Sequence, residues 1–302
     1  MSAFIRASRA FTLLKGLRVG IIGGLRHEFS SLSKLGQLEE LLNLEFVWVD
    51  EQEVLNEALQ RPEEEVKMTL DSLISSGYQV KVPQGSIIPS IRVYLALKSI
   101  LKKYSLGALL LACGPGLRGY ATACLAASLL LDQGVPVDCL SDLYGLLGVC
   151  MAIFTGGAPT LSGFLNEVDI HDRVVRVVTC GAAPPSIAYD PRDVVISSQK
   201  ADLGRGAVVS LVTKRSRATL LRLLQGSPEP KLLIAGGEVF PVPRERLRED
   251  VEVWPHAFMK LDGNPHRLLE TLDSPRVQIM LGDHRRALSE LASMLRISTV
   301  SI

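Results

Sequence analysis

The sequence predicts an α/β chain built in two parts: a doubly wound parallel sheet, then a mostly antiparallel sheet or barrel of α+β type. Three observations carry this. Short apolar runs alternate with helical patterns over the first half, the hydrophobic period then shifts to brief β-branched runs, and 302 residues lie at the top of what one core usually supports. The shift falls around Gly156 to Thr160, which places the parts at 1–157 and 158–302.

The first part opens with RVGIIGG at 18–24, an apolar run closed by glycines, and continues to LEFVWV at 44–49 with a leucine-rich helical pattern between them. That is a β-α-β unit. Helical stretches follow at 51–60 and 62–76, the second opening on Pro62 and three glutamates and ending at Gly77, as helix starts and stops prefer. After a loop, 90–104 reads as an amphipathic helix, 107–113 (GALLLAC) as a fully buried strand, 120–132 as a helix, 135–139 as a short strand and 142–154 as a helix. In the second part the runs 173–179, 193–197, 206–213, 231–235, 250–254 and 276–281 are predicted strands, with helices near 263–272 and 284–295.

Lys and Arg total 33 against 32 Asp and Glu, a net +1 that provides no charge excess for holding a nucleic acid backbone or an anionic membrane. Neither partner is expected. The composition, 47% hydrophobic and 22% charged, is that of a packed globular protein. The five cysteines, at 113, 124, 139, 150 and 180, form no CxxC pair and no signal segment precedes them, so a reduced cytoplasm is the expected setting. The uncharged stretch Leu143 to Asn166 is long enough to span a bilayer, but Gly156, Gly157 and Pro159 break it, and it reads as a buried helix and a turn.

Gly114-Pro115-Gly116-Leu117-Arg118-Gly119 fits GxGxxG between a predicted strand and helix, with Asp138 placed where a ribose-binding acid would stand. Gly114, Gly116 and Gly119 are therefore candidate cofactor-binding positions. Against that, Pro115 removes an amide and the motif lies about a hundred residues into the chain, so a glycine-rich turn at the sheet's carboxyl edge explains the same residues. Cys113, Cys139 and Cys180 each end a predicted strand and can approach one cleft, or simply fill the core. Arg118, Asp142 and Glu238 complete the cleft candidates. Asp142 is also a helix cap, and Glu238 can belong to an exposed turn. None of the histidines, at 27, 171, 256, 266 and 284, has metal-ligand spacing.

Taken in order, Arg18–Gly24, Trp48–Glu53, Leu106–Pro115, Thr122–Asp132, Gly134–Asp142, Cys180–Ser186, Gly236–Val239, Pro255–Phe258 and Gly282–Arg285 carry a resemblance. The chain resembles the L-fucose isomerase and L-arabinose isomerase-like family over almost its whole length. The resemblance implies three domains, two Rossmann-like and a third antiparallel and barrel-like, with Mn²⁺-assisted interconversion of aldose and ketose between the last two. This chain corresponds to the second and third: a Rossmann-like domain at 1–157 and a fucose isomerase C-terminal-like domain at 158–302. The family's first domain, which helps cover a neighbouring subunit's sugar site, would be missing.

The resemblance also locates the metal ligands. The family's two carboxylates fall on Leu140 and Phe164, and its two histidines on Thr179 and on Pro275 or Arg276. Leucine and phenylalanine cannot ligate Mn²⁺, so no cofactor is expected and metal-dependent isomerisation is in doubt on chemical grounds. Three readings follow: a homo-oligomeric, isomerase-like protein that binds a sugar or other small polar ligand without the metal reaction; an enzyme of changed chemistry on a sugar or sugar phosphate; and a nucleotide-binding oxidoreductase using the glycine-rich loop.

Overall fold

The computed structural model describes residues 2–24, 32–112, 115–199, 205–226, 229–247 and 255–302. The predicted strand 250–254 and the candidates His27, Cys113 and Gly114 lie outside these residues. The chain opens with a helix α1 (Ala3–Leu14), capped by the Ser2 hydroxyl, in a segment to which the sequence pattern assigned no element. Then come β1 (Arg18–Ile22), α2 (Leu32–Leu42), β2 (Glu45–Val49), α3 (Glu51–Leu59), α4 (Glu63–Ser75), β3 (Gln79–Lys81), α5 (Gln84–Lys103), β4 (Ala108–Leu111), α6 (Pro115–Tyr120), α7 (Cys124–Asp132), β5 (Val137–Asp138) and α8 (Leu143–Gly156). β1, β2, β4 and β5 form a parallel sheet in the order β2-β1-β4-β5. β1 and β4 are buried and apolar along nearly their whole length, as strands covered on both faces must be.

Three boundaries differ from the expectation. α5 starts six residues before the predicted 90 and carries Pro89 inside its second turn. The predicted helix 120–132 is α7 and starts at Cys124, the short helix α6 forms ahead of it over the glycine-rich motif, and the loop before α5 contains the short strand β3.

The second part contains β6 (Thr160–Asp169), β7 (Val174–Val178), β8 (Val195–Ser198), β9 (Ala207–Ser210), β10 (Ser216–Leu224), β11 (Lys231–Phe240), β12 (His256–Leu261), α9 (Pro265–Thr271), β13 (Arg276–Leu281), α10 (Arg285–Leu295) and β14 (Ser298–Ser301). Seven strands run in the order β10-β13-β6-β7-β12-β11-β14, antiparallel except for the parallel β11–β14 pair. β10 also pairs with β11 over nine residues, so the chain of pairings returns on itself. β6, β10, β12 and β14 were not among the predicted strands. β10 is leucine-rich and gives no period-2 signal, since both its faces are covered, and long-range pairing decides its form.

The two parts are joined intimately. β3 pairs in parallel with β8, and β8 antiparallel with β9, so one three-stranded sheet draws on both sides of residue 157. α8 is buried from Leu143 to Thr155 and touches β4 and β5 on one side and β6, β10 and β13 on the other. Here the uncharged stretch finds its explanation: a helix sandwiched between two sheets has no face for charge. It stops at Gly157, whose φ of 67° makes the left-handed cap, and the chain turns straight into β6. α1 crosses back to pack on α8 and α10. No helix among the described residues is long and apolar enough to cross a membrane.

Candidate functional site at the junction

The helix α7, the carboxyl end of β5, the strands β6 and β13 and the turn after β7 meet around a small cavity. Its lining includes Asp138, Cys139, Leu140, Ser162, Phe164, Thr179, Cys180 and Arg276. Leu140, Phe164 and Thr179, to which the resemblance assigned metal ligands, thus converge in one place with Arg276, one of the two positions, 275 and 276, that it allowed for the fourth. Register explains part of it: Arg276 stands opposite Phe164 on β13 and β6, and Phe164 opposite Val178 on β6 and β7.

What fills the site is an ionic cluster. Arg276 Nη2 donates to the Asp138 carboxylate, and the guanidinium stacks 5.0 Å above the Phe164 ring. Arg222 Nη1 donates to Asp142 Oδ2 at 2.6 Å, and the Arg276 Nε lies 3.9 Å from the same oxygen. Asp138, Asp142 and Arg222 are wholly buried and Arg276 is 4% exposed. Burial pushes the Asp138 carboxyl above its ordinary range, against the opposing pull of the Arg276 charge and of the Leu140 and Asp142 amides. Asp142 is at once an ion-pair partner and the N-cap of α8, accepting from the Gly145 amide at 2.9 Å.

The donors present do not suit a hard divalent cation. Leu140 and Phe164 offer no ligand atom. Thr179 Oγ1 is consumed by its own turn, accepting from the Gly181 and Ala182 amides at 3.1 and 3.0 Å and donating to the Ala182 carbonyl. The carboxylate of Asp138 is engaged by an arginine whose charge would repel a metal ion. Among the described residues no group of three or more His, Cys, Asp or Glu is arranged to hold one. The cavity has about 10 Å³, room for roughly one water and not for a sugar ring.

The other sequence candidates are dispersed. Cys139 and Cys180 line the cavity, and Cys124, which ends no strand and was not singled out, joins them: its thiol and that of Cys139 are both in side-chain hydrogen-bond contact with Cys180. Hydrogen bonds from these two thiols, together with the Arg276 charge, hold the Cys180 thiol well below its ordinary range, while its bond to Cys180 and burial push Cys139 up. Arg118 lies in the last turn of α6, half-buried. Glu238 is not in a turn; it lies inside β11, opposite Arg217 and Lys260, and accepts from Arg215 at 2.6 Å near solvent. Glycine permits that strand, since a Cβ on Gly237 would stand 2.3 Å from the Lys260 carbonyl. Asp138 is committed to Arg276 and is no ribose ligand. His256 is buried in β12, whereas His171 and His266 are exposed.

The glycine-rich motif has a different surrounding from the one a dinucleotide needs. Gly116 and Gly119 lie within the six-residue helix α6, and a Cβ on Gly116 would come 2.7 Å from a Glu51 carboxylate oxygen. Glu51 begins α3, at the carboxyl edge of the sheet beside the β1–β4 switch point, and its Oε1 is buried without a hydrogen-bond partner. An acid in that position opposes a pyrophosphate.

This geometry meets a matching comparison. The chain is 24% identical to sulfoquinovose isomerase of Clostridium sp. (strain MSTE9) over an alignment 316 positions long, gaps included, covering 98% of this chain and 67% of that protein. The chain is similar to a sugar isomerase. No family model matches it. The likeness supports a sugar-isomerase-like protein and does not extend to the narrower fucose and arabinose isomerase assignment.

Proposed function

We propose that this sugar-isomerase-like chain keeps the architecture of its relatives, a Rossmann-like half joined to a barrel-like half, and has given up metal-dependent aldose–ketose interconversion. Its role is then that of a binding subunit in carbohydrate metabolism, with a sugar or other small polar ligand. The observation that carries the reading is the junction itself: Leu140, Phe164 and Thr179, onto which the resemblance puts three metal ligands, meet there with Arg276, one of the two positions it allows for the fourth, and a buried Arg276–Asp138 pair occupies the space. An Mn²⁺ ion and a sugar would both have to displace that pair. The remaining place for a polar ligand is the carboxyl edge of the parallel sheet, where open α/β sheets bind theirs.

The two alternatives draw less support. Asp142 is neutralised by Arg222 and Glu238 by Arg215, so both carboxylates that the changed-chemistry reading named are held in ion pairs. The oxidoreductase reading meets the Glu51 carboxylate against Gly116.

Melting curves with and without Mn²⁺, in the presence of sulfoquinovose, fucose or arabinose, test the proposal together with an isomerase assay. The expected result is no Mn²⁺-dependent rise and no ketose formed. A rise of several degrees with Mn²⁺ plus turnover of any of the three sugars would overturn it, because a ligand specific for the native state stabilises that state.

A further inference from the structure

The thiols at the junction are unexplained by any sugar chemistry. Cys139 follows β5 in the first part of the chain and Cys180 follows β7 in the second, yet both line the same cavity and their thiols are in contact. Both residues are half-buried and line the cavity wall. Contact between two sulfurs on different elements is the condition a disulfide requires. We propose that Cys139 and Cys180 form a peroxide-sensitive thiol pair, which closes to a disulfide that ties the parallel-sheet half to the antiparallel half.

Chemical roles follow from the surroundings. Cys180 is the attacking sulfur: thiol donors and the Arg276 guanidinium stabilise its anion, and a thiolate, not a thiol, is the nucleophile. It attacks one oxygen of hydrogen peroxide, the O–O bond breaks, and a sulfenic acid forms as hydroxide leaves and takes up the proton. Cys139 then attacks the Cys180 sulfur, forming the S–S bond and expelling the sulfenic oxygen as water with the Cys139 proton. Two thiols and one peroxide give one disulfide and two waters. The narrow cavity favours an oxidant barely larger than water over a bulky one.

Cys124 is the less suitable partner. It is buried, does not line the cavity, and its sulfur accepts from Gln199 Nε2 at 3.7 Å while facing the Cys180 carbonyl at 4.0 Å. Cys150 lies inside α8, where burial pushes its thiol up out of the reactive range.

The test uses the full chain, treated with hydrogen peroxide, quenched, alkylated and digested at aspartates. Those cleavages matter because no Lys or Arg separates Cys124, Cys139 and Cys150, whereas Asp132, Asp138 and Asp142 do. The expected product is a peptide beginning at Asp138 linked to the one containing Cys180, lighter by two hydrogens and released by dithiothreitol. Cys124→Ser should retain the link, and Cys139→Ser should lose it and accumulate over-oxidised Cys180. A link from Cys180 to any other cysteine, or full alkylation of both residues after peroxide, would overturn the proposal. Should a variant fold poorly, the wild-type digest by itself separates these outcomes.

Discussion

Two clusters in this molecule have the same composition, two aspartates and two arginines, and opposite physics. At the junction, Asp138, Asp142, Arg222 and Arg276 are sealed from water; on the surface, Asp262, Asp283, Arg217 and Arg285 form a comparable set, each about two-fifths to one-half exposed. In the surface set, hydrogen bonds from the arginines hold Asp262 below its ordinary range and bring Asp283 down to about 2. In the buried set, desolvation outweighs the partner and Asp138 is pushed up. Identical charges therefore report burial, not pairing. The buried set costs much to desolvate and more to break, while the exposed set contributes little either way.

Breaking the buried set should produce the largest effect. Asp142→Leu leaves the Arg222 charge buried with only Asp273, at 3.4 Å, to answer it, and removes the cap of α8. A loss of about 3–5 kcal/mol is expected in urea unfolding, and the double variant Asp142→Leu/Arg222→Leu should recover most of it, since a well-packed apolar pair substitutes for a buried ionic one at little cost. If the single and double variants fall equally, the cluster is not energetically coupled.

A smaller, pH-dependent effect is expected for Arg276→Met, which deprives Asp138 of its partner and moves its carboxyl further up. An acid with a raised folded pKa keeps its proton in the native state after the unfolded chain has released it, so stability is lost as pH rises through that window. The deficit relative to wild type should accordingly be greater at pH 8 than at pH 5, read from denaturant midpoints at the two values. An equal deficit at both would mean that Asp138 does not sense Arg276.

The smallest effect belongs to the surface. Asp283→Ala removes the 2.6 Å contact with Arg285 and should change stability by less than about 1 kcal/mol at neutral pH, and by less again in high salt. A loss as large as that of Asp142→Leu would abolish the contrast between the clusters.

Much of the parallel half was legible because its signals are local. β1 and β4 are unbroken apolar runs, and α4 opens on Pro62 and glutamates. Asp142 is recognisable as a cap from its place before an apolar run. β10 and β12 were hidden, since their form rests on partners distant in the chain, and β6 was hidden inside a stretch whose apolar character it shares with α8. At the site, Cys139 and Cys180 were marked by their position at strand ends, but Cys124 gave no such mark; a helix start pointing at the β7 turn has no signature in one dimension.

The sequence by itself determined the two-part α/β plan and the absence of a charge excess for a nucleic acid partner. Those follow from side-chain type and period, which the chain carries residue by residue. Only the tertiary structure decided that Leu140, Phe164, Thr179 and Arg276 share one cavity, that Asp138 belongs to an arginine instead of a ribose, and that the Cys139 and Cys180 thiols meet there with Cys124 behind them. Each of these depends on strand register and on α8 lying between two sheets. Contacts of that range are paid for by the whole core and are written in no single segment.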